Sequence, residues 1–234
     1  MNAYALGQFP QIEMTIPTRN KSSEVYAFRT KKEISDMLSV FDRHIADATN
    51  KNQRQIAERN KLLFLIGINI GIRASDLRTL RWSFFFDKTS DGISFKEFYT
   101  IQPKKQRKQH KYVKLFFNNA VKAAVEDYVG KYSVDTDDYL FPSRKGDAPI
   151  VEASLWRIIK DAAIEAGIKQ NIGSHSLRKT FGFWCWHEAE DKNKALIVLQ
   201  QIFNHSSSQV TLRYIGILDD EVEEMFNSIC LGVN

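Results

Sequence analysis

Leu62-Leu63-Phe64-Leu65-Ile66-Gly67-Ile68-Asn69-Ile70-Gly71-Ile72-Arg73-Ala74-Ser75-Asp76-Leu77 is the stretch on which the fold turns. Its apolar run, Leu62 to Gly71, is far shorter than the roughly 20 residues a bilayer span needs, so it reads as a helix buried in a protein core. Gly71 stands where a C-cap glycine would end that helix. Arg73 therefore follows a core-packed element, and a rigid helix end is a good mount for a charged group. Ser75 is placed to cap a short helix carrying Leu77 and Leu80 before Trp82.

Upstream, Thr30-Lys31-Lys32-Glu33 has the capping-box pattern, and Ile34, Met37, Leu38, Phe41 and Ile45 follow at helical spacing. Residues 1–25 carry Pro10 and Pro17 without periodicity and are expected to form an arm or linker. Downstream, the texture changes between Trp82 and Leu115. The runs Phe84–Phe86, Phe98–Ile101 and Tyr112–Leu115 alternate with Asp91-Gly92 and a polar basic stretch, which predicts a small three-stranded antiparallel sheet. Helices are expected over Asn118–Tyr132, Ala153–Ala166, Ser176–Glu190, Lys194–Phe203 and Asp219–Leu231. The expected fold is thus α+β, mainly α-helical with one small sheet.

The chain has 234 residues, 43% hydrophobic and 26% charged, enough for a sizeable core. A formal net charge of +5 suits a polyanionic partner without requiring one. Cys185 and Cys230 make no metal-ligand spacing and sit among apolar neighbours, as buried free thiols would. No signal-peptide h-region is visible, so a reducing cytoplasmic setting is the default expectation.

Where that charge could do chemistry is the next question. Arg73 is one candidate. A second arginine lies in Gly173-Ser174-His175-Ser176-Leu177-Arg178-Lys179-Thr180-Phe181. His175 and Arg178 share a helix face if the helix starts near Ser174, and a helix N-terminus favours anions. Two arginines in ordered settings suit a phosphodiester, because each planar fork bonds phosphate oxygens and keeps its charge. Breaking such an ester without a metal also needs a nucleophile and an acid for the leaving oxygen.

Taken in order, these stretches resemble the tyrosine recombinase (phage integrase) family, catalytic domain. Its motifs run Thr-Gly-x-Arg-x-x-Glu-Leu, His-x-Leu-Arg-x-Thr, then Gly-His with a tyrosine nine residues on. Here the third motif is Phe203-Asn204-His205-Ser206-Ser207 followed by Thr211-Leu212-Arg213-Tyr214, and His205 to Tyr214 is nine residues. The resemblance covers about residues 26–234 and implies the catalytic-domain fold of that family. It makes Tyr214 the nucleophile, Arg73 and Arg178 the phosphate clamp, His175 the aid to proton transfer, and His205 a further donor to a phosphate oxygen. Asp76 would brace the site.

The family's general acid is a lysine in the turn before the last strand of the sheet. Pro103-Lys104-Lys105-Gln106-Arg107-Lys108-Gln109-His110-Lys111 offers several, of which Lys105 overlays the motif best and Lys104 is the alternative. The other charges of that turn, Lys104, Arg107, Lys108 and Lys111, would contact DNA phosphates. Asp76 in place of glutamate, Asn204 in place of glycine and Ile70 in place of threonine depart from the pattern without removing a reacting group.

The resemblance further implies a site-specific recombinase forming a 3′-phosphotyrosyl intermediate, with no metal and no cofactor. Its partner would be a double-stranded DNA recombination site, on which it assembles as a homotetramer, with a monomer as the alternative state in solution, an accessory directionality factor as a further partner and no membrane association. Its location would be cytoplasmic and nucleoid-associated. About 25 leading residues cannot form the helical N-terminal core-binding domain usual in the family, so the chain is expected to be an excised catalytic domain or a naturally short member. The acidic segment 219–231 carries Val222, Met225, Phe226, Ile229 and Cys230 as an apolar stripe, to dock on its own domain or on a neighbouring protomer. Two alternatives stand beside this one: a type IB topoisomerase, disfavoured by the nine-residue spacing, and a catalytically idle DNA-binding module, disfavoured by the intact motif residues.

Overall fold

The computed structural model describes residues 24–102, 112–144, 146–217, 224 and 226–229. Helix α1 (Lys31–Ala46) starts at the Thr30–Glu33 capping box and buries Met37, Val40 and Phe41. Helix α2 (Lys51–Ile70) begins three turns before the apolar run, at the Asn50 cap, and ends at Gly71 in the left-handed conformation. Its first turns, residues 51–61, are rich in Lys, Gln, Arg, Ala and Glu, good helix formers that the apolar period alone does not reveal.

Helix α3 (Ala74–Leu77) opens on Arg73, whose carbonyl accepts from the Asp76 and Leu77 amides. Ser75 therefore lies inside the helix and is not its cap.

The sheet differs from the expected single three-stranded one. Trp82–Phe84 form a 3-10 turn, and the strands make two separate hairpins. In the first, β1 (Phe86–Thr89) pairs antiparallel with β2 (Gly92–Phe95) across Asp91-Gly92, where Gly92 takes a φ of 131°. In the second, β3 (Phe98–Ile101) pairs with β4 (Val113–Phe116), with Phe98 opposite Phe116. The link between them is fixed by the Lys96 amide donating to the Phe85 carbonyl. Tyr99 stacks on Phe84 at 4.0 Å, which seats β3 on the 3-10 turn instead of on β2. A third hairpin, β5 (Pro142–Ser143) with β6 (Gly146–Pro149), follows α4 (Asn119–Lys131).

Helices α5 (Glu152–Glu165), α6 (Ser174–His187), α7 (Lys192–Phe203) and α8 (Ser208–Ile215) complete the described fold. Helix α8 was not anticipated; Ser207 caps it by accepting from the Val210 amide. Of the expected helix 219–231, residues 224 and 226–228 are helical, with Phe226 and Ile229 exposed, and the remainder lies outside the described residues. Cys185 is exposed on α6 and not buried as expected, because α6 turns that side to solvent; Cys230 lies outside the described residues.

Two apolar clusters form. The larger gathers Phe28, Phe41, Phe64, Leu77, Trp82, Val125 and Leu155 with their neighbours, and the smaller gathers Ala27, Phe183, Leu199, Phe203, Ile215 and Ile217. Helix α6 belongs to both. Its Leu177 packs against α2 at Gly67, where an added Cβ would lie 2.6 Å from Leu177 Cδ1. One and a half turns on, Gly182 lets α6 approach α7 and α8. A Cβ there would lie 2.7 Å from Ile215 and 2.8 Å from Phe203. These close crossings hold the end of α2 against the α7–α8 corner.

Gly182→Ala should therefore force the smaller cluster apart. The expected loss is about 1–3 kcal/mol, read as a lower urea midpoint. An unchanged midpoint would show that the α6–α8 crossing is slack.

Candidate active site

Arg178 is the centre of the site. It lies one turn into α6 and is 5% exposed. Its Nη1 donates to the Gly71 carbonyl at 2.5 Å and its Nη2 to the Phe203 carbonyl at 3.2 Å. Those carbonyls belong to the C-terminal ends of α2 and α7, where helices leave acceptors without intrahelical donors. A cation there also meets the negative end of each helix dipole. The guanidinium lies 4.2 Å from the Phe203 ring centroid, and its charge acts on the Tyr214 phenol. Burial pulls its pKa down to about 10, opposed by Tyr214, helped by the charge of Arg73 and opposed again by Asp76, so it stays cationic at neutral pH.

Arg73 arrives from the other side. The left-handed turn at Gly71 aims the following chain back toward α7, and Arg73 Nη2 reaches the same Phe203 carbonyl at 3.4 Å. Gly71 is required at that turn twice over. Its φ of 68° favours glycine, and a Cβ would lie 2.1 Å from Phe181 Cδ1. Asp76, buried in α3, is the carboxylate whose field supports the Arg178 charge.

The third contribution comes from the corner between α7 and α8. Asn204 caps α7 at φ 52° and ψ 51°, the only described non-glycine residue with positive φ. Asparagine tolerates that conformation better than most residues, which accounts for its standing at a glycine position of the motif. The corner delivers His205, whose Nδ1 lies 3.1 Å from the hydroxyl of Thr211, itself fully buried on α8. Burial, then the charges of Arg178 and Arg73, push the His205 pKa down to about 4. Its ring meets Tyr214 edge-on at 5.1 Å, and Phe203 meets Tyr214 at 5.4 Å. Burial raises the Tyr214 phenol above its usual value, while Arg178 and Arg73 act in the opposite sense.

The structure thus brings Arg73, Asp76, Arg178, His205 and Tyr214 into one cluster. His175 sits in the first turn of α6, on its exposed side and one turn before Arg178. The helix starts at Ser174, two residues ahead of the expected start, which puts His175 inside it. Lys104, Lys105, Arg107, Lys108 and Lys111 lie outside the described residues. The strands on either side of them, β3 and β4, wall a cavity of about 330 Å³ that also touches Gly71, Arg73, Asp76 and Arg178.

Two residues of the cluster were not singled out from the sequence. Phe203 supplies the carbonyl shared by both arginines and a ring wall for His205 and Tyr214. Thr211 fixes the imidazole of His205. Its spacing of four from Ser207, the α8 cap, was the available signal.

The model of the phage integrase family matches residues 30–221. A Bacillus subtilis protein, "Probable integrase/recombinase YoeC", is 32% identical over 171 residues, which is 73% of this chain and 82% of that protein. Among solved structures, XerA recombinase superposes with a TM-score of 0.60 at 22% identity, covering 92% of this chain and 67% of its own. XerH recombinase, bound to its palindromic difH substrate after cleavage, gives 0.59 at 21% identity, covering 90% of this chain and 55% of its own.

His205 sets a pH test. Its folded pKa lies below the unfolded value near 6.5, so the unfolded chain binds the extra proton first. The stability His205 contributes is present above about pH 6.5 and declines as pH falls toward its folded pKa. In ¹H–¹³C NMR the His205 ring should keep neutral-form shifts down to about pH 5. Titration near 6.5 in the folded protein would contradict the assigned burial.

Proposed function

Because the chain belongs to the phage integrase family of tyrosine recombinases, enzymes that cut and rejoin DNA strands, we propose that Tyr214 is its nucleophile and that Arg73 and Arg178 clamp the scissile phosphate. The supporting observation is that the two guanidinium groups, mounted on separate elements, converge on the Phe203 carbonyl, and that the charges of both act on the Tyr214 phenol in the sense that favours its ionised form. Two cations held together, close to a phenol, favour a dianionic phosphorane as it forms.

In the proposed step the Tyr214 oxygen bonds to phosphorus and the P–O5′ bond breaks. His175 takes the phenolic proton. Lys105, with Lys104 as the alternative, protonates the departing 5′-oxygen. His205, neutral at working pH, donates to a non-bridging oxygen from Nε2–H in the tautomer whose Nδ1 accepts from the Thr211 hydroxyl, a proton that hydroxyl otherwise gives to the Ser207 carbonyl. Asp76 holds the clamp in place. The phosphotyrosyl ester conserves the energy of the broken bond, and attack by a 5′-hydroxyl of the partner strand reverses the chemistry onto a new duplex.

The proposed substrate is a double-stranded recombination site, as XerH has in difH. Lys104, Arg107, Lys108 and Lys111 are proposed to contact its backbone, which makes binding salt-dependent. A homotetramer on DNA, assisted by a directionality factor and acting in the cytoplasm at the nucleoid, completes the reading. Residues 1–25 are proposed as an N-terminal arm or linker, and residues 26–234 as the catalytic domain.

Nicked suicide duplexes carrying DNA that flanks the coding gene provide the test. The wild-type chain should form a covalent adduct that survives denaturing gels, and Tyr214→Phe should form none. Arg178→Lys keeps one charge but loses the fork, and should slow adduct formation about 10²–10³-fold. An adduct undiminished in Tyr214→Phe would overturn the assignment.

A further inference from the structure

Next to Arg178 on α6 stands a second buried cation that the strand-exchange chemistry above does not use. Lys179 is 8% exposed, and its Nζ lies 5.5 Å from the centroid of the Tyr214 ring. The same Nζ is 3.3 Å from Oε1 of Glu24. Glu24 opens a short extended segment laid along α6. Its carbonyl accepts from Asn171, and the Tyr26 amide donates to the Asn171 carbonyl. The Phe28 amide donates to the Thr180 hydroxyl, and the Phe28 carbonyl accepts from Trp184 Nε1. This seam fixes Glu24 behind the nucleophile.

Burying an ammonium group is costly unless it has partners, and here the partners are one carboxylate and one aromatic face. The Tyr214 ring is thereby fixed by Phe203, His205 and Lys179 together, with the charges of Arg178 and Arg73 acting on its phenol. The remaining charges facing this group, among the described residues, are Arg73 from the α2–α3 junction, Asp76 behind Arg178, and Glu24 behind Lys179.

We propose that Lys179 is a positioning residue for Tyr214, clamped and partly neutralised by Glu24, so that the segment entering the domain at residues 24–28 sets the orientation and electrostatic surroundings of the nucleophile. This rests on the reading of Tyr214 as the nucleophile. Lys179 acts through the ring face: it holds the ring against Phe203, and its charge favours the phenolate that develops during attack. Glu24 opposes that charge. Displacing the segment from α6 would therefore alter the reactivity of Tyr214 without touching DNA.

The two partners of one ion pair make opposite predictions, which separates this role from a merely structural one. With a fluorotyrosine incorporated at position 214 of the full chain, ¹⁹F NMR reads the titration of that phenol. Lys179→Met, which keeps the stem and removes the charge, should raise its pKa by about half a unit or more. Glu24→Gln, which leaves the lysine uncompensated, should lower it. Lys179→Arg should restore the wild-type value.

On a nicked duplex cleaved by the wild type, Lys179→Met should slow adduct formation about tenfold. Its affinity for the same duplex, by fluorescence anisotropy, should be unchanged. Shifts of the same sign in Lys179→Met and Glu24→Gln, or no shift in either, would overturn the proposal. An adduct formed by Tyr214→Phe would instead overturn the nucleophile assignment and leave the titration result standing.

Discussion

One guanidinium sits where two helices stop. Arg178 takes the end carbonyls of α2 and α7, lies on the Phe203 ring and turns its charge on the Tyr214 phenol, all from a position 5% exposed. Burying a charge in this way is tolerable because helix C-termini supply both acceptors and a favourable dipole field. Everything near the site depends on that arrangement. Without the Arg178 side chain, the Gly71 carbonyl loses this donor, the Phe203 carbonyl keeps Arg73 in place of two donors, and the helix ends lose their tie.

The backbone is shaped to present those carbonyls. Gly71 and Asn204 both turn left-handed, one after α2 and one after α7, and each turn releases a functional residue within the next two positions, Arg73 and His205. Close packing keeps the turns in register. Gly67 and Gly182 let α6 lie tightly on α2 and on the α7–α8 corner, so the site is assembled at the seam between the two apolar clusters. The same seam carries the Glu24–Phe28 segment, which places the chain's entry into the domain next to its proposed nucleophile.

How much of this the sequence discloses depends on the range of the interaction. Local signals were legible: the Thr30–Glu33 capping box, the Gly71 stop and the motif spacing from His205 to Tyr214 each depend on neighbours a few residues away. Signals needing a third element were not. That Phe203 offers its carbonyl to arginines 130 and 25 residues distant follows from the α6 crossing, which no periodicity encodes. The polar start of α2 was hidden because the apolar run dominates the period, and α8 was hidden because eight residues show little periodicity. The aromatic run at Phe84–Phe86 suggested a strand, yet Phe84 ends a 3-10 turn and stacks on Tyr99, a choice made by packing and not by propensity.

The proposed chemistry requires a covalent bond at one of eight tyrosines. Peptide mapping by mass spectrometry of protein trapped on a nicked duplex tests it most directly, because the method locates the modified residue and the chemistry of its link. The expected product is a nucleotide joined through its 3′-phosphate to the Tyr214 oxygen. A nucleotide found on another residue, or joined through a 5′-phosphate, would contradict it.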